Sequence, residues 1–203
     1  MELLTGIIDS GGPLVWPLLG LFVWGSGIIV LKTLTLRRSR IIGPDAVSHV
    51  ERLLLEGKVE DATAYCKQHA LPMMRIVLAG IVNHDRSDAE LKEILEEAGR
   101  QELPGIRSHL TALGTIASVA PLLGLFGTVL GMISVFSVLS SQHSIDASQL
   151  AGGISQALTT TALGMAIAVP TLAFHNFFIS RLQLLILEME KISLHMVAVL
   201  KRL

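Results

Sequence analysis

The chain is predicted to be all-α: a three-span helical membrane protein whose long helices extend into a small helical cytoplasmic domain. Three observations carry this. Only 16% of its 203 residues are charged and 51% are hydrophobic, against about 25% charged in ordinary soluble domains. The apolar residues gather in three blocks, Leu14–Leu31, Leu110–Leu139 and Gly153–Ser180, each near or above the ~20 residues that cross a bilayer as helix. From Ser108 to Ser180 the only charged side chain is Asp146, a stretch too long and too apolar for one soluble core element.

The first block is the shortest. Its pattern resumes as far as Leu36, and Lys32 is expected to snorkel toward water, so the span is read as residues 14–36. Nothing before Lys32 is Lys or Arg, and no Ala-x-Ala-like cleavage site follows. The segment is therefore read as a retained helix and not as a signal peptide. Its Gly20, Gly25 and Gly27 are suited to close approach by another helix. The second block would be ~45 Å long as helix, more than the ~30 Å of hydrocarbon, so this span must tilt or protrude.

Charge sets the expected topology. All 16 Lys and Arg lie between Lys32 and Arg107 or from Arg181 onward. By the positive-inside rule both basic regions are cytoplasmic. The expected organisation is an outside N-terminus (1–13), a first span (14–36) and a cytoplasmic helical domain (37–108). A second span (109–140), an outside loop (141–152), a third span (153–180) and a cytoplasmic C-terminal helix (181–203) follow; in a bacterial inner membrane the outside segments would be periplasmic. The net charge of −1 gives no reason to expect a nucleic-acid partner.

Residues 41–109 read as short helices with weak strand signals. Pro44 can open a helix, because its missing N–H is unneeded there. Val47, Val50, Leu53 and Leu54 stripe it, and Gly57 ends it. Val59–Gln68 reads as a second helix, and Pro72 opens a third with Ile76, Val77 and Leu78. Ser87-Asp88-Ala89-Glu90 is a capping box, so a helix begins near Asp88 with Leu91, Ile94, Leu95 and Ala98 on its apolar face. This region is too small to bury a large core alone and is expected to pack on helices continuing from the membrane. After Arg181 the tail carries Leu182, Leu185, Ile186, Met189, Ile192, Leu194 and Met196 without Gly or Pro. It reads as an amphipathic continuation of the third span. The lone Cys66 reads as a small buried hydrophobe.

The spans are studded with small polar residues. At 100° per residue, Gly153, Gln156, Ala157, Thr160, Gly164, Ala168, Thr171 and His175 share roughly one third of the third helix, with Thr161 at the border. In the second span Ser118, Pro121, Gly124, Thr128 and Gly131 recur at spacings of three or four, and Gly127 pairs with Gly131. Tight helix packing explains such residues singly. A polar lumen between protomers is the sharper reading, favoured because Gln156, Thr160 and Thr161 cluster at one end of a span and a Gln in hydrocarbon needs partners or water. The spans carry no deep Asp, Glu, Lys or Arg, whereas proton relays generally use an intramembrane carboxylate or His. His175 is read as interfacial. If protons pass, the titrating acid belongs to another subunit. Metalloprotease, nucleophile-elbow and Walker signatures are missing. The seven His lack metal-ligand spacing. Neither enzyme, cofactor nor metal site is expected.

The run LGTIASVAPLLGLFGTVLGMI, from Leu113 to Ile133, resembles the hallmark of the MotA/TolQ/ExbB proton-channel family. GISQALTTTALG, from Gly153 to Gly164, followed by Ala168-Val169-Pro170 and Asn176, is similar to that family's last-span motif. The resemblance is closest to the ExbB branch. It implies a homopentamer in the bacterial inner membrane around single-span partners of the ExbD/TolR type, which would bring an Asp into the pore. Proton motive force would then do work on a TonB-like protein for outer-membrane import. A TolQ-like role with a TolA-like protein in envelope maintenance, and a non-conducting membrane scaffold, are the alternatives. The family's lumen threonines correspond to Thr128 and Thr161. The Glu that the family often carries five residues before the second threonine is here Gln156, which cannot titrate. Motor-type members have four spans, so a flagellar role fits less well.

The topology is directly testable. In a Cys66→Ser background, Ser144→Cys should react with an impermeant maleimide on intact cells, and Arg202→Cys only after lysis.

Overall fold

The computed structural model describes residues 12–141 and 147–202, and every regular element among them is helical. The expected N-terminal segment up to Gly11 and the centre of the polar turn, Gln142–Asp146, lie outside the described residues. The helices are α1 (Val15–Thr35), α2 (Arg38–Ile41), α3 (Pro44–Leu55), α4 (Val59–Gln68), α5 (Pro72–Val82), α6 (Asp88–Arg107), α7 (Leu110–Ser141) and α8 (Ala147–Leu200). Three are long and apolar enough to cross a membrane: α1, α7 and α8. α8 runs for 54 residues, roughly 80 Å, so the tail continues the third apolar block without a break.

The chain divides into two compact units. One comprises the residues up to Val30 together with His109–Asn176. Its surface is apolar: Trp16, Trp24, Leu122, Phe136, Leu158 and Val169 are all exposed. An apolar surface this extensive belongs in lipid or against other protein, not in water. Val15, Leu18 and Ile28 turn α1 inward, and Gly25 leaves room for Ile116 and Thr171.

The other unit comprises Leu31–Ser108 and Phe177–Leu203. Local chemistry explains its helices. α3 opens at Pro44 and ends in a Schellman motif, in which Lys58 N–H bonds the Leu53 carbonyl and Gly57 N–H bonds that of Leu54. Gly57 there has φ +75°, a conformation that suits glycine. At α6 the Ser87 side chain accepts from Glu90 N–H, and the Glu90 carboxylate accepts from Ser87 N–H at 3.0 Å. Leu91 and Leu95 are buried, with Ile94 and Ala98 half-buried. The short α2 has no signal in the apolar pattern. The α8 tail supplies the missing core: Leu182, Leu185, Met189 and Met196 are buried, and a Cβ at Gly80 would meet the side chains of Leu95 and Leu200. Leu194, expected on that face, is instead 54% exposed, because the buried stripe passes it by. Among the described residues, Arg38 pairs with Glu188 and Lys201 with Asp88, and His195 Nε2 lies 2.8 Å from Glu51 Oε1, tying the tail to the domain.

Lys32 corrects one expectation. It does not snorkel; it is 4% exposed. Its ammonium donates to the Ile106 carbonyl at 3.0 Å and lies 3.4 Å from Ser108 Oγ. It thus caps one of the last carbonyls of α6, where a cation is favoured.

Removing the capping hydroxyl with Ser87→Ala should destabilise this unit by about 1 kcal/mol, read as faster amide exchange in the first turn of α6. Cys66 is buried, and burial pushes its thiol up to about 11. It should resist alkylation at neutral pH until the protein unfolds. Its contribution to stability is present below the ordinary thiol range and declines as pH rises toward 11.

Candidate functional site

The candidate site is the seam between α7 and α8. Along it the two backbones touch. A Cβ at Gly164 would lie 2.6 Å from the Ala120 carbonyl oxygen, and one at Gly124 would lie 3.0 Å from that of Thr160. A Cβ at Gly131 would sit 2.8 Å from Ala157 Cβ and 2.9 Å from the Gly153 carbonyl oxygen, and one at Gly127 would run into Thr160. Small residues at intervals of three or four build this contact because they share one face of each helix. Leu158, Met165, Val169 and Leu172 are driven to the opposite, exposed face of α8.

The hydroxyls divide by their position on the seam. Thr160 and Thr171 are buried within it, and each satisfies itself on its own helix. Thr160 donates toward the carbonyls of Gln156 and Ala157, and Thr171 to that of Ile167 at 2.7 Å. Thr161 is half-buried at the edge and crosses the seam, donating to the Gly124 carbonyl at 2.9 Å. Thr128, also half-buried, donates to the next carbonyl of α7, that of Leu125, at 2.6 Å. The two threonines are therefore anchored on consecutive carbonyls of one helix. Ser118 is exposed and bonds the Gly114 carbonyl at 3.1 Å. Pro121 is half-buried between Ser118 and Gly124, and as proline it offers no N–H to the Ala117 carbonyl. Gln156 is half-buried, its amide against Gly12.

Three contacts were not anticipated from the sequence. Ala120 presents the carbonyl that receives Gly164, and its only signal is its place four residues before Gly124. Gly114 receives the His175 ring, where a Cβ would lie 2.9 Å from Cε1. His175 Nδ1 is buried without a hydrogen-bond partner among the described residues. Gly12, at φ +66°, receives Gln156.

Such a seam can hold two helices in register and present hydroxyls at one level without any charge of its own. This is the arrangement carried by the motif on both helices, and residues 68–191 match the sequence profile of the MotA/TolQ/ExbB proton channel family. The chain belongs to that family. A biopolymer transport protein of Synechocystis sp., ExbB-like 3, is 36% identical over 83% of this chain and 81% of its own length. An ExbB homologue from Methanothermobacter thermautotrophicus is 28% identical over 91% of this chain and 65% of its own. The Tol-Pal system protein TolQ of Haemophilus influenzae is 35% identical over 47% of this chain and 43% of its own. The chain thus spans less than two thirds of two of these relatives. It is a membrane protein of a proton-channel family in which several relatives are named for biopolymer transport.

The seam makes a sharp contrast testable. Gly164→Leu should strongly lower the melting temperature in detergent, because it forces backbone apart. Gly20→Ala should leave it unchanged or slightly raised, since none of the described residues would come within 4 Å of a Cβ there.

Proposed function

We propose that this protein is a proton-channel subunit of the bacterial inner membrane that works with an ExbD/TolR-like single-span partner. The partner supplies an intramembrane Asp, and the assembly turns proton motive force into work on a TonB-like protein for outer-membrane import. The observation that carries the reading is the pair Thr128 and Thr161, held on consecutive carbonyls at the edge of a seam with no charged group of its own. A hydroxyl there can donate to a carboxylate or accept from a carboxylic acid as the acid changes state. Gln156, beside Gly12, and Ser118, exposed on α7, are assigned to the same pathway. Thr160 and Thr171 line it from within the seam, while Pro121, Gly124, Gly127, Gly131 and Gly164 set the helix spacing. Among the described residues of α7 and of α8 before Arg181 there is no Asp, Glu, Lys or Arg. The chain therefore needs a second chain for proton transfer.

In this reading the subunit is a homo-oligomer, a pentamer by family resemblance, with its N-terminus periplasmic and its C-terminus cytoplasmic. Thr160 and Thr171 are buried as well as bonded to their own helix, which favours the scaffold alternative at those two positions.

Reconstituted with its partner, the protein should take up protons into liposomes. Thr161→Val and Thr128→Val should each suppress uptake at least about tenfold if the hydroxyl acts in transfer, while Thr161→Ser retains most of it. Gln156→Ala should be milder. Full uptake in both valine variants would sink the assignment. Altered assembly in detergent from a complex that conducts no protons even as wild type would support the scaffold.

A further inference from the structure

The unit built from Leu31–Ser108 and Phe177–Leu203 contains a cavity of about 350 Å³ with an unusual charge lining. Three cations, Lys32, Arg40 and Arg75, face one acid, Glu102. That acid is already taken, since Arg75 Nε donates to Glu102 Oε1 at 2.6 Å and a second guanidinium nitrogen pairs with the other oxygen. Lys32 is the anomaly. It is 4% exposed, and among the described residues its ammonium reaches only the Ile106 carbonyl and the Ser108 hydroxyl. No carboxylate lies within ion-pair distance of it among the described residues. A buried cation without a counter-ion is costly, and an anion beside it would offset that cost. Arg40 is exposed at the same cavity and forms no ion pair among the described residues.

The backbone adds to this field. Pro72 lines the cavity and opens α5, whose first turn has no acid and whose start has no side-chain cap. The positive end of a helix favours an anion. The remaining wall is apolar, with Leu36, Ile41 and Ile106. Lys32 itself stands in the last turn of α1, directly after the run Gly27-Ile28-Ile29-Val30-Leu31.

We infer that this cavity binds a phosphate group, and that the group is the headgroup of an anionic phospholipid. The cations fit the phosphate and the apolar wall fits the start of a glycerol and acyl chain. A free phosphate would have no use for that wall. A basic pocket where a membrane helix meets the cytoplasm is suited to such headgroups. The inference requires Lys32 to lie at the membrane edge and is independent of proton conduction.

The test uses the full chain in neutral detergent, titrated separately with short-chain phosphatidylglycerol, phosphatidylcholine and inorganic phosphate. Thermal unfolding and native mass spectrometry are the readouts. Phosphatidylglycerol should raise the melting temperature and remain bound, and phosphatidylcholine should do neither. Arg40→Gln, at an exposed position, should weaken the apparent phosphatidylglycerol affinity by about fivefold, the worth of one surface cation. Lys32→Met should remove the shift; if that variant does not fold, Arg40→Gln still decides. Equal response to the two lipids, or unchanged affinity in Arg40→Gln, overturns the proposal. Saturation by inorganic phosphate at the same concentration, lost in the same variant, overturns the lipid assignment. Loss of proton uptake with lipid binding intact would count against the channel reading alone.

Discussion

The structure of the apolar unit depends on backbone contact between α7 and α8. In hydrocarbon there is no hydrophobic force to push helices together, because lipid tails are as apolar as leucine. Association must come from close packing, and close packing needs residues without bulk. Gly164 beneath the Ala120 carbonyl, and Gly124 beneath that of Thr160, supply it. From this contact follow the outward rotation of the large side chains, the burial of Thr160 and Thr171, and the edge position of Thr128 and Thr161. A bulky residue at any of these glycines would displace every hydroxyl at once.

Polar groups in such a place must find partners within the protein. The threonines do so by bonding to carbonyls, and the choice of carbonyl separates them. Thr160 turns back on its own helix. Thr161, one residue further and thus rotated by about 100°, reaches across to Gly124. One position serves packing and its neighbour stands where a second chain could reach it. In the proposed function the missing carboxylate becomes a division of labour: this chain would contribute hydroxyls and shape, and the titrating group would come from a second chain.

The unit of Leu31–Ser108 and Phe177–Leu203 solves a different problem. Its short helices cannot bury a sufficient core by themselves, and the α8 tail closes it with Leu182, Leu185, Met189 and Met196. The polar pairs along that tail are partly exposed, and such pairs contribute little individually. The apolar contacts, including the approach of Leu95 and Leu200 over Gly80, supply the stability, and the charges fix the register. Lys32 is where economy of charge breaks down. Among the described residues it has only neutral oxygens to meet it, which is reason to look for an anion.

Much of this was legible in the sequence because it is local. Pro44 opening α3, the Gly57 terminus, the limits of α4 at Val59 and Gln68 and the capping box at Ser87 depend on neighbours within a turn. The three apolar blocks depend only on composition. The sequence by itself determined that the chain is helical and membrane-spanning, which residues share a face, and that the spans carry no acid. It could not decide which hydroxyl crosses the seam, that Ala120 receives Gly164, that Lys32 turns inward, or that Leu194 is left outside. Each of these depends on a partner tens of residues away, and only the approach of distant helices sets those distances.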